Sequence, residues 1–554
     1  MTKEPAIFAV DAETDPFKRG RVPKPFLWGA THIRTKEFIE FEKTDDFLEW
    51  CLEQDEGTIM YAHNGGKFDW QLDDIIEHIR MFTPVMVIAG RVSKFHIGHV
   101  EFRDSWNILP SALAGLGDKK EIDISKLEPD VRHLHMDEIR EYHKRDCDVL
   151  ADAIAGFIDK HGLVLTQAGA AMRLWETISG QKVEKSNGNY YKRFAPFYTG
   201  GRVECFRPGI YEGNFTSVDI NSAYPFAMLS KHPKGLKYER LDYLPEMPDE
   251  ELGRCFIRLM AKSHGAFPYK YRCDRRKTMV LEFPNDGKVR EFHITGWEYI
   301  AARDTETLQT PIIHEVYSFF DAISFEDYVN PLYAEKAEHK KNGNKVEELL
   351  AKLALNSLYG KFGSNPDKYK EHICVPLDAV AEAVDWGWHI EGPGPAPNSM
   401  FMKQDLDEKQ KRFYNVATAA SITGFVRAML WRTIHAADDV LYCDTDCVMA
   451  VKHNNIELDP TKLGAWDIEA ECTEGAFAGK KLYAVKKAEP DKKGKQYKIA
   501  SKGVKLDKNQ IYAIAKGAKV RYEKDAPTFK RIRGKDGERV TFLARNVKRT
   551  DIND

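Results

Sequence analysis

Short apolar runs that lead into acidic residues occur twice near the start of the chain. Residues 6–10 read Ala-Ile-Phe-Ala-Val and predict a buried strand that continues into Asp11 and Glu13. Because side chains alternate along a strand, these two carboxylates project from one face. Residues 58–62 predict a second strand, followed by a glycine loop and by Asp69 near a helix start. The alternatives for these acids are an ordinary strand end and a helix cap.

A third apolar pattern surrounds two more acids. Residues 441–450 contain Asp444 and Asp446 between apolar runs, which predicts two strands joined by a tight hairpin. Two carboxylates near a dry core repel each other unless a cation pairs with them. Oxygen ligands favour Mg²⁺ or Mn²⁺, so the hairpin is a candidate metal site. The alternative is a hairpin whose turn acids are solvated.

Helical periodicity appears in residues 137–158, 168–179, 225–229 and 328–360. In the first of these helices, Tyr142 and Asp146 are four residues apart and share one face. In the last, Lys352, Asn356 and Tyr359 fall at i, i+4 and i+7, which is one face of a helix. A lysine that meets phosphate as a point charge, with an amide and a phenol beside it, suits a nucleoside triphosphate. The alternative is an amphipathic helix with a solvated lysine.

Composition fits an ordinary globular protein. The 554 residues are 43% hydrophobic and 30% charged, enough for roughly three or four core-forming units. No window approaches the ~18 apolar residues of a membrane span, and the first residues lack a signal peptide's basic and apolar regions. Nine scattered cysteines without a Cys-x-x-Cys pair predict reduced thiols, a cytosolic type of compartment and no structural zinc.

The net charge of -3 hides an asymmetry along the chain. Residues 480–554 carry 23 basic and 9 acidic residues, whereas the remainder is acidic. A basic end beside an acidic body predicts that a polyanion is held at that end. A solvated lysine-rich surface is the alternative.

Four of the acids fall on three or four elements within about 150 residues. If Asp11, Glu13, Asp69 and Asp146 converge, they can hold two metal ions while Tyr142 orients a water molecule. Such an arrangement suits metal-assisted hydrolysis of a phosphodiester, in which one ion activates water and the other stabilises the leaving oxygen.

The three segments that carry these acids resemble, in order and spacing, the exonuclease motifs of DnaQ-like proofreading 3′–5′ exonucleases and of family B DNA polymerases. The resemblance implies that Asn64 and Phe68 hold a single-stranded 3′ end by hydrogen bonding and stacking. It also implies a DNA contact for Ser105, in a segment where tryptophan replaces the family's leucine. Either Lys119 or Lys120 matches the exonuclease lysine, and the sequence does not choose between them.

Residues 215–225 resemble the first palm motif of family B polymerases, with alanine at the family's leucine position. The resemblance implies that Asp219 and the Ile220 carbonyl are metal ligands, and that Tyr224 excludes a ribose 2′-OH. A core aromatic is the alternative for Tyr224. The hairpin at 441–450 resembles the third palm motif, with cysteine for its last serine, so Asp444 and Asp446 would complete a two-metal site in which Asp219 and Asp444 hold the ions.

Further motifs appear in family order. They imply nucleotide contacts by Lys352, Asn356, Tyr359, Lys336 and Lys481, and DNA contacts by Tyr198, Gly200, Gly201, Thr423, Arg427 and Tyr483. The fingers motif Lys-x-x-x-Asn-Ser-x-Tyr-Gly is matched in full at 352–360. Lys481 and Tyr483, two apart on a predicted strand, would share one face.

The resemblance covers nearly the whole chain and implies a multidomain α/β and α+β fold class. It implies an RNase H-like (DnaQ-like) 3′–5′ exonuclease domain at 1–165 and a right-hand polymerase domain at 166–554, comprising palm (166–233 and 413–505), first insertion (234–322), fingers (323–366), second insertion (367–412) and thumb (506–554). Length and motif spacing are similar to those of phi-twenty-nine-like phage enzymes, in the protein-primed branch of the family. There, the first insertion contacts a terminal protein and DNA, and the second supports strand displacement. A family-neutral surface insertion is the alternative for the first.

We therefore expect a monomeric, template-directed DNA polymerase with a proofreading exonuclease and two Mg²⁺ (or Mn²⁺) ions per active site. Its partners would be DNA, dNTPs and a terminal protein, without a membrane. It would serve a virus or linear plasmid in the host cytoplasm. Three alternatives stay open: a conventionally primed family B enzyme, an exonuclease whose polymerase half only binds DNA, and a non-catalytic terminal-protein or DNA-binding module.

Overall fold

The structure is a computed structural model that describes residues 5–274, 277–532, 534 and 539–549. The first four residues, Arg275, Arg276 and parts of the basic tail lie outside the described residues, so what the sequence predicts for them stays a prediction. Within the described part, no helix combines the length and the apolar character needed to cross a membrane.

A seven-stranded sheet with two helices forms the N-terminal domain. Its elements are β1 (Ile7–Thr14), β2 (Pro25–His32), β3 (Phe38–Phe41), α1 (Thr44–Glu53), β4 (Ile59–Ala62), β5 (Met86–Ile88), β6 (Arg91–Ile97), β7 (Val100–Asp104) and α2 (Met136–His161). The order is β3-β2-β1-β4-β7-β6-β5, with β1 parallel to β4 at the centre. β1 runs past the predicted end of its apolar stretch, so Asp11 and Glu13 belong to the sheet itself.

The next part of the chain connects the domains and builds a second, four-stranded sheet. Its elements are α3 (Gln167–Ser179), α4 (Gly188–Phe194), β8 (Val203–Cys205), β9 (Gly209–Ile220), α5 (Ala223–Ala227), β10 (His232–Leu241), α6 (Asp249–Leu252), β11 (Phe256–Ser263), β12 (Tyr269–Cys273), β13 (Thr278–Glu282), β14 (Val289–Thr295), α7 (Gly296–Asp304) and β15 (Leu308–Ile323). The sheet order is β10-β15-β11-β14, and β12 pairs with β13 in a separate hairpin. The apolar face of this sheet shares one buried core with α3 and β9.

The helical region predicted at 328–360 is two helices. They are followed by a small sheet, and the elements are α8 (Glu326–Asn342), α9 (Lys345–Phe362), β16 (Lys370–Pro376), α10 (Val380–Asp385), β17 (His389–Pro393) and β18 (Ser399–Asp405). Gly343 ends α8 with φ of 74°, a left-handed conformation that glycine adopts without steric cost. The three strands pair in the order β16-β18-β17. β16 also bridges to the N-terminal domain between Val85 and His372.

A second seven-stranded sheet carries the hairpin predicted at 441–450. The elements are α11 (Val416–Ala436), β19 (Asp438–Asp444), β20 (Cys447–Lys452), β21 (Trp466–Gly479), β22 (Leu482–Lys487) and β23 (Tyr497–Ser501). The sheet is antiparallel with the order β23-β22-β21-β9-β20-β19-β8, so β9 lies beside the hairpin although Asp219 and its strand partner Cys447 are 228 positions apart in the sequence. Most of α11 is buried.

The basic C-terminal region packs on this sheet and reaches back to the N-terminal domain. Its elements are α12 (Lys508–Ala515), β24 (Val520–Glu523), β25 (Thr528–Phe529), β26 (Val540–Thr541) and β27 (Ala544–Val547), in the pairs β24-β27 and β25-β26. α12 buries Ile511 and Ile514 against alanines of β21 and β22.

Candidate active sites

Four acids of the N-terminal domain lie together at one end of its sheet. Asp11 and Glu13 extend from β1, Asp69 begins the 3₁₀ segment Asp69–His78, and Asp146 lies on α2. Glu13 is 7% exposed, and Asp69 and Asp146 are each 3% exposed. Asp69 makes no helix-capping contact, since the cap position belongs to the residue before it. The structure thus brings together all four acids that the sequence singled out.

The electrostatics of this cluster favour a bound cation. Burial is the main cause that raises the pKa of all four carboxyls, and Asp11 adds repulsion at the other three. Asp146 accepts a hydrogen bond from Lys119 through Oδ2 at 2.5 Å, whereas its buried Oδ1 meets no partner among the described residues. A divalent ion would give this unsatisfied carboxylate oxygen a partner and would offset the repulsion among the four acids.

The structure chooses between the two candidate lysines. Lys119 reaches Asp146, and its Nζ lies 5.1 Å from the centre of the Tyr142 ring. Burial opposes the charge of Lys119, but hydrogen bonds with Asp146 and Tyr142 outweigh it and raise its pKa. Lys120 instead pairs with Glu141, and both of these side chains are largely exposed.

His143 is a member of this site that the sequence analysis missed. It is fully buried, and a ring nitrogen lies within 4.8 Å of the carboxylate oxygens of Asp11 and Glu13. Its Nε2 donates to the backbone carbonyl of Asp11 at 3.1 Å, which fixes α2 against the end of β1. In the sequence, its place in the site is indicated by its position next to Tyr142 on the same predicted helix.

Three residues expected to hold a single-stranded 3′ end have different surroundings. Phe68 is half-buried, and Asn64 accepts a hydrogen bond from Arg91 at 2.6 Å. Ser105 is fully buried, and its hydroxyl contacts His63 Nδ1 at 3.0 Å and the Ala62 carbonyl at 3.3 Å. The Ser105 hydroxyl is thus enclosed by protein, and the DNA contact expected of this residue stays a prediction.

The second acid cluster lies where β9 meets the β19–β20 hairpin. Asp219 is paired with Cys447 in the sheet, and Asp444 faces the same cysteine across the hairpin. Asp446 lies in the turn, and its backbone carbonyl accepts a hydrogen bond from Ile220 N at 2.8 Å. The chain thereby fixes Asp219 beside a turn more than 220 residues away in sequence.

Within this cluster, burial and neighbouring acids raise the pKa values of Asp219 and Asp446. Burial and the charge of Asp446 raise the pKa of Asp219 to about 7, and burial raises the pKa of Asp446 to about 6. Asp444 instead accepts a hydrogen bond from Lys481 at 2.7 Å. The resemblance implied Asp219 and Asp444 as the pair that holds the ions, and that assignment stays a prediction.

Glu469 on β21 is a further acid that the sequence analysis missed. One of its oxygens lies within 4.8 Å of ligand atoms of Asp219 and Cys447, and Oε2 accepts a hydrogen bond from Ser217 at 3.1 Å. Lys498 forms an ion pair with it. No local motif marks Glu469, because only the pairing of β21 with β9 brings it to Asp219.

Residues expected to hold a nucleotide surround this cluster. The Tyr224 and Tyr359 rings stack at 4.3 Å between centroids with 10° between their planes. Lys336 Nζ donates to Ser222 Oγ at 3.1 Å, and burial together with the charge of Lys352 lowers its pKa. Lys352 and Asn356 are exposed along α9. Lys336 and Lys352 therefore lie near each other, and neither forms an ion pair within the part of the chain that the structure describes.

Gly200 and Gly201, the paired glycines of the sequence, lie next to the Asp444–Asp446 turn. A Cβ on Gly201 would lie 2.8 Å from Thr445 Cγ2, and Thr445 N donates to the Arg202 carbonyl at 2.6 Å. Gly200 is exposed, and the Tyr198 ring packs so closely on Gly363 that a Cβ there would clash. Glycine is thus required at Gly201 by a close approach.

Other residues with expected DNA contacts are buried. Thr423 and Arg427 on α11 are each 2% exposed, and Arg427 pairs with Glu298 at 2.7 Å, so both side chains contact protein and their template contact stays a prediction. Tyr483 is 6% exposed and packs on the Tyr442 ring at 4.8 Å. Lys481 does not share a strand face with Tyr483, because it lies in the preceding turn with φ of 55°.

The sequence of the chain matches a known protein family and individual relatives. The sequence model of a family described as "DNA polymerase type B, organellar and viral" matches residues 120–411. The chain is 33% identical to a DNA-directed DNA polymerase of Enterobacteria phage PRD1, over 98% of each chain. It is 23% identical to a DNA polymerase of Bacillus phage M2, over 79% of this chain and 80% of the relative.

Solved structures show the same fold. Phi29 DNA polymerase complexed with primer-template DNA and incoming nucleotide matches with a TM-score of 0.76 at 17% identity, over 99% of this chain and 100% of that chain. Phi29 DNA polymerase complexed with single-stranded DNA matches with a TM-score of 0.74. The expected fold class, an RNase H-like exonuclease domain with a right-hand polymerase domain, is confirmed by these matches.

Proposed function

The chain belongs to the organellar and viral type B DNA polymerases, and we propose that it extends DNA at the Asp219–Asp446 cluster and degrades 3′ ends at the Asp11–Asp146 cluster. The observation that carries this proposal is the presence of two separate groups of acids, each with pKa values raised by burial and mutual repulsion. A polymerase half that only binds DNA would have no use for the second group, since unneutralised acids repel phosphate.

Each cluster fits divalent metal ions. In the polymerase site Asp219, Asp444, Asp446 and the Ile220 carbonyl would hold them, with Glu469 close to Asp219. In the exonuclease site Asp11, Glu13, Asp69 and Asp146 would hold them, and ligand oxygens of Asp11 and Glu13 lie within 4.8 Å of each other. Oxygen donors favour Mg²⁺ or Mn²⁺. Two bound ions would supply an activated oxygen nucleophile and neutralise the leaving group.

Side chains around the polymerase cluster bind and orient the nucleotide. Lys336 and Lys352 attract the triphosphate, because neither forms an ion pair with a carboxylate among the described residues. The stacked Tyr224 and Tyr359 rings form a flat platform that a sugar and base can cover. We assign to Tyr224 the exclusion of a ribose 2′-OH. Lys481 holds Asp444 in place through its hydrogen bond and steadies the primer end.

In the exonuclease site, Tyr142 orients the attacking water. Lys119 keeps Tyr142 and Asp146 in position, since it contacts both. Phe68 stacks on a terminal base, and Asn64 holds the sugar-phosphate chain beside it.

We also propose a role for each remaining part. The thumb, at residues 506–554, grips duplex phosphates without regard to sequence. The first insertion (234–322) receives a terminal protein, and the second (367–412) supports strand displacement. The whole enzyme works as a monomer on a viral or linear-plasmid genome in the host cytoplasm, and the phage relatives support the viral origin.

One experiment tests the function and the priming mode together. The enzyme is mixed with Mg²⁺ and labelled dNTPs, and with either an oligonucleotide-primed template or a candidate terminal protein on its DNA. We expect extension in the first reaction and covalent labelling of the protein in the second. Extension without protein labelling would favour conventional priming, and no extension with a degraded primer would favour a nuclease that only binds DNA.

A further inference from the structure

Arg202 is a charged residue that lies almost wholly inside the protein, directly after the paired glycines and before β8. It is 1% exposed, and its guanidinium lies 4.3 Å from the centre of the Phe283 ring and 4.9 Å from that of Trp431. Nε and Nη2 donate to Glu204 Oε2 at 2.9 and 2.6 Å, and Nη1 donates to the Gly265 carbonyl at 2.7 Å. A buried charge is costly unless it is paired and hydrogen-bonded, so these contacts fix the side chain in one place.

The partners of this guanidinium come from three separate parts of the chain. Gly265 and Phe283 belong to the region predicted as the first insertion, where Gly265 N donates to the Pro284 carbonyl at 3.0 Å. Trp431 lies on α11, and Glu204 lies on β8. Arg202 therefore anchors the start of β8 to α11 and to the insertion at once.

β8 needs such an anchor because it is short and lies at the edge of its sheet. It has three residues and ends the strand order, where Val203 pairs with Asp444 of β19. A three-residue edge strand forms few backbone hydrogen bonds, so side-chain contacts decide how firmly it is held. The guanidinium of Arg202 supplies those contacts next to an acid of the polymerase cluster.

The turn after β19 depends on Arg202 through the main chain. Thr445 N donates to the Arg202 carbonyl at 2.6 Å, and Asp446 N donates to the Asp444 carbonyl at 2.7 Å. Thr445 has φ of 64°, a left-handed conformation that is strained for a β-branched residue. Such a residue keeps its conformation only where the surrounding contacts fix it. The Arg202 carbonyl is one of these contacts, and it holds the residue that lies between the two acids.

We propose that Arg202 is a positioning residue of the polymerase site, which holds β8 and, through its carbonyl, the Asp444–Asp446 turn in the geometry that the reaction needs. The inference rests on the proposed polymerase function. Arg202 acts through the two acids, because its guanidinium is enclosed by protein and does not reach the substrate. A displacement of the reacting groups by about 1 Å can slow a reaction about 100-fold, so the anchor of this turn bears directly on the rate.

The test compares extension with degradation in one protein, so that the N-terminal site reports whether each variant is folded. Arg202→Met with Glu204→Gln removes the guanidinium without leaving Glu204 as an unpaired charge. Phe283→Leu loosens the packing on the guanidinium and keeps Arg202 itself. Arg207→Met is the matched control, because Arg207 lies shortly after β8, its side chain is 52% exposed and it pairs with Asp439 at 3.2 Å.

Two kinds of measurement are made on each variant. The first gives the single-turnover rates of primer extension and of 3′–5′ degradation, together with the affinity for primer-template DNA. The second is Mn²⁺ binding by electron paramagnetic resonance without DNA, with Asp11→Ala and Glu13→Ala in every protein so that the signal comes from the polymerase site. Metal binding does not depend on turnover, so it reports the geometry of the acids directly.

We expect Arg202→Met with Glu204→Gln to extend a primer about 10- to 100-fold more slowly and to bind Mn²⁺ about 10-fold more weakly, the range for loss of a group that orients metal ligands. Its degradation rate and its DNA affinity should match those of the wild type. Phe283→Leu should show a smaller loss of extension, and Arg207→Met should show none.

Wild-type extension and Mn²⁺ binding in the double variant would overturn the inference. An equal loss of extension and degradation would overturn it as well, because a role in the turn alone leaves the N-terminal site intact. Failure of the wild-type enzyme to extend a primer would instead overturn the proposed polymerase function, which separates the two.

Discussion

Replacing Arg427 by methionine should destabilise the protein and leave its intrinsic affinity for template unchanged. The Arg427 guanidinium is enclosed in protein, where it pairs with Glu298 at 2.7 Å and donates to the backbone carbonyls of Thr199 and Gly200. Glu298 in turn caps α7 through Thr295 at 2.9 Å. Arg427 thus ties α11 to α7 and to the paired-glycine segment.

The size of the effect follows from burial. Removing one partner of a buried ion pair leaves the other charge without compensation, which costs about 3–5 kcal/mol. At about 2–4 °C per kcal/mol for a domain of this size, the melting temperature should fall by roughly 6–20 °C. Arg432 on the same helix pairs with Asp304, but its side chain is 42% exposed. Arg432→Met should therefore cost no more than about 1 kcal/mol.

Thermal unfolding of both variants measures this difference. The double variant Arg427→Met with Glu298→Gln should recover part of the loss, because it leaves no unpaired buried charge. Affinity for primer-template DNA is measured well below the transition, where each variant is folded. Wild-type stability of Arg427→Met combined with at least tenfold weaker template binding would show that Arg427 contacts the template directly.

Three other predictions follow from the sites. Lys119→Met should slow 3′–5′ degradation by about 10- to 100-fold, because it removes the hydrogen-bond partner of Asp146, a proposed metal ligand. Lys120→Met is the control and should leave the rate unchanged. Equal rates of the two variants in degradation assays would contradict the choice of Lys119. Asp219, with a pKa raised to about 7, binds a proton more tightly in the folded protein than in the unfolded chain, so without metal the melting temperature should fall as pH rises from about 4 to 7. Mg²⁺ should then stabilise more at pH 8 than at pH 5.5, and a pH-independent effect in thermal scans would count against the cluster. Tyr224→Val should raise ribonucleotide incorporation about 10- to 200-fold in primer extension, and unchanged selectivity would remove Tyr224 from the sugar site.

The strands that carry the acids could be predicted from the sequence, because each of these acids lies in a short local pattern. The apolar stretch before Asp11 and the hairpin around Asp444 define their own strands, and the structure needs little else to place them. Gly343 shows the limit of helical periodicity. The apolar pattern predicted one helix at 328–360, whereas the backbone turns at Gly343 and forms two helices.

What the sequence could not predict depends on contacts between distant segments. Glu469 and His143 reach their clusters only through strand pairing and helix packing. Ser105 and Arg427 are polar residues whose burial has no local signature, because their hydrogen-bond partners come from other elements. The choice between Lys119 and Lys120 depends on side-chain direction, which the order of two adjacent lysines does not encode.

The proposed enzyme uses two independent acid clusters for opposite reactions on one DNA end. It is tested by following a labelled primer with a mispaired 3′ end, on a template, with Mg²⁺ and dNTPs. The wild-type enzyme should shorten the primer and then extend it. Asp444→Asn should only shorten it, and Asp11→Ala with Glu13→Ala should never shorten it while still extending a paired end. Loss of both reactions in either folded variant would contradict the account.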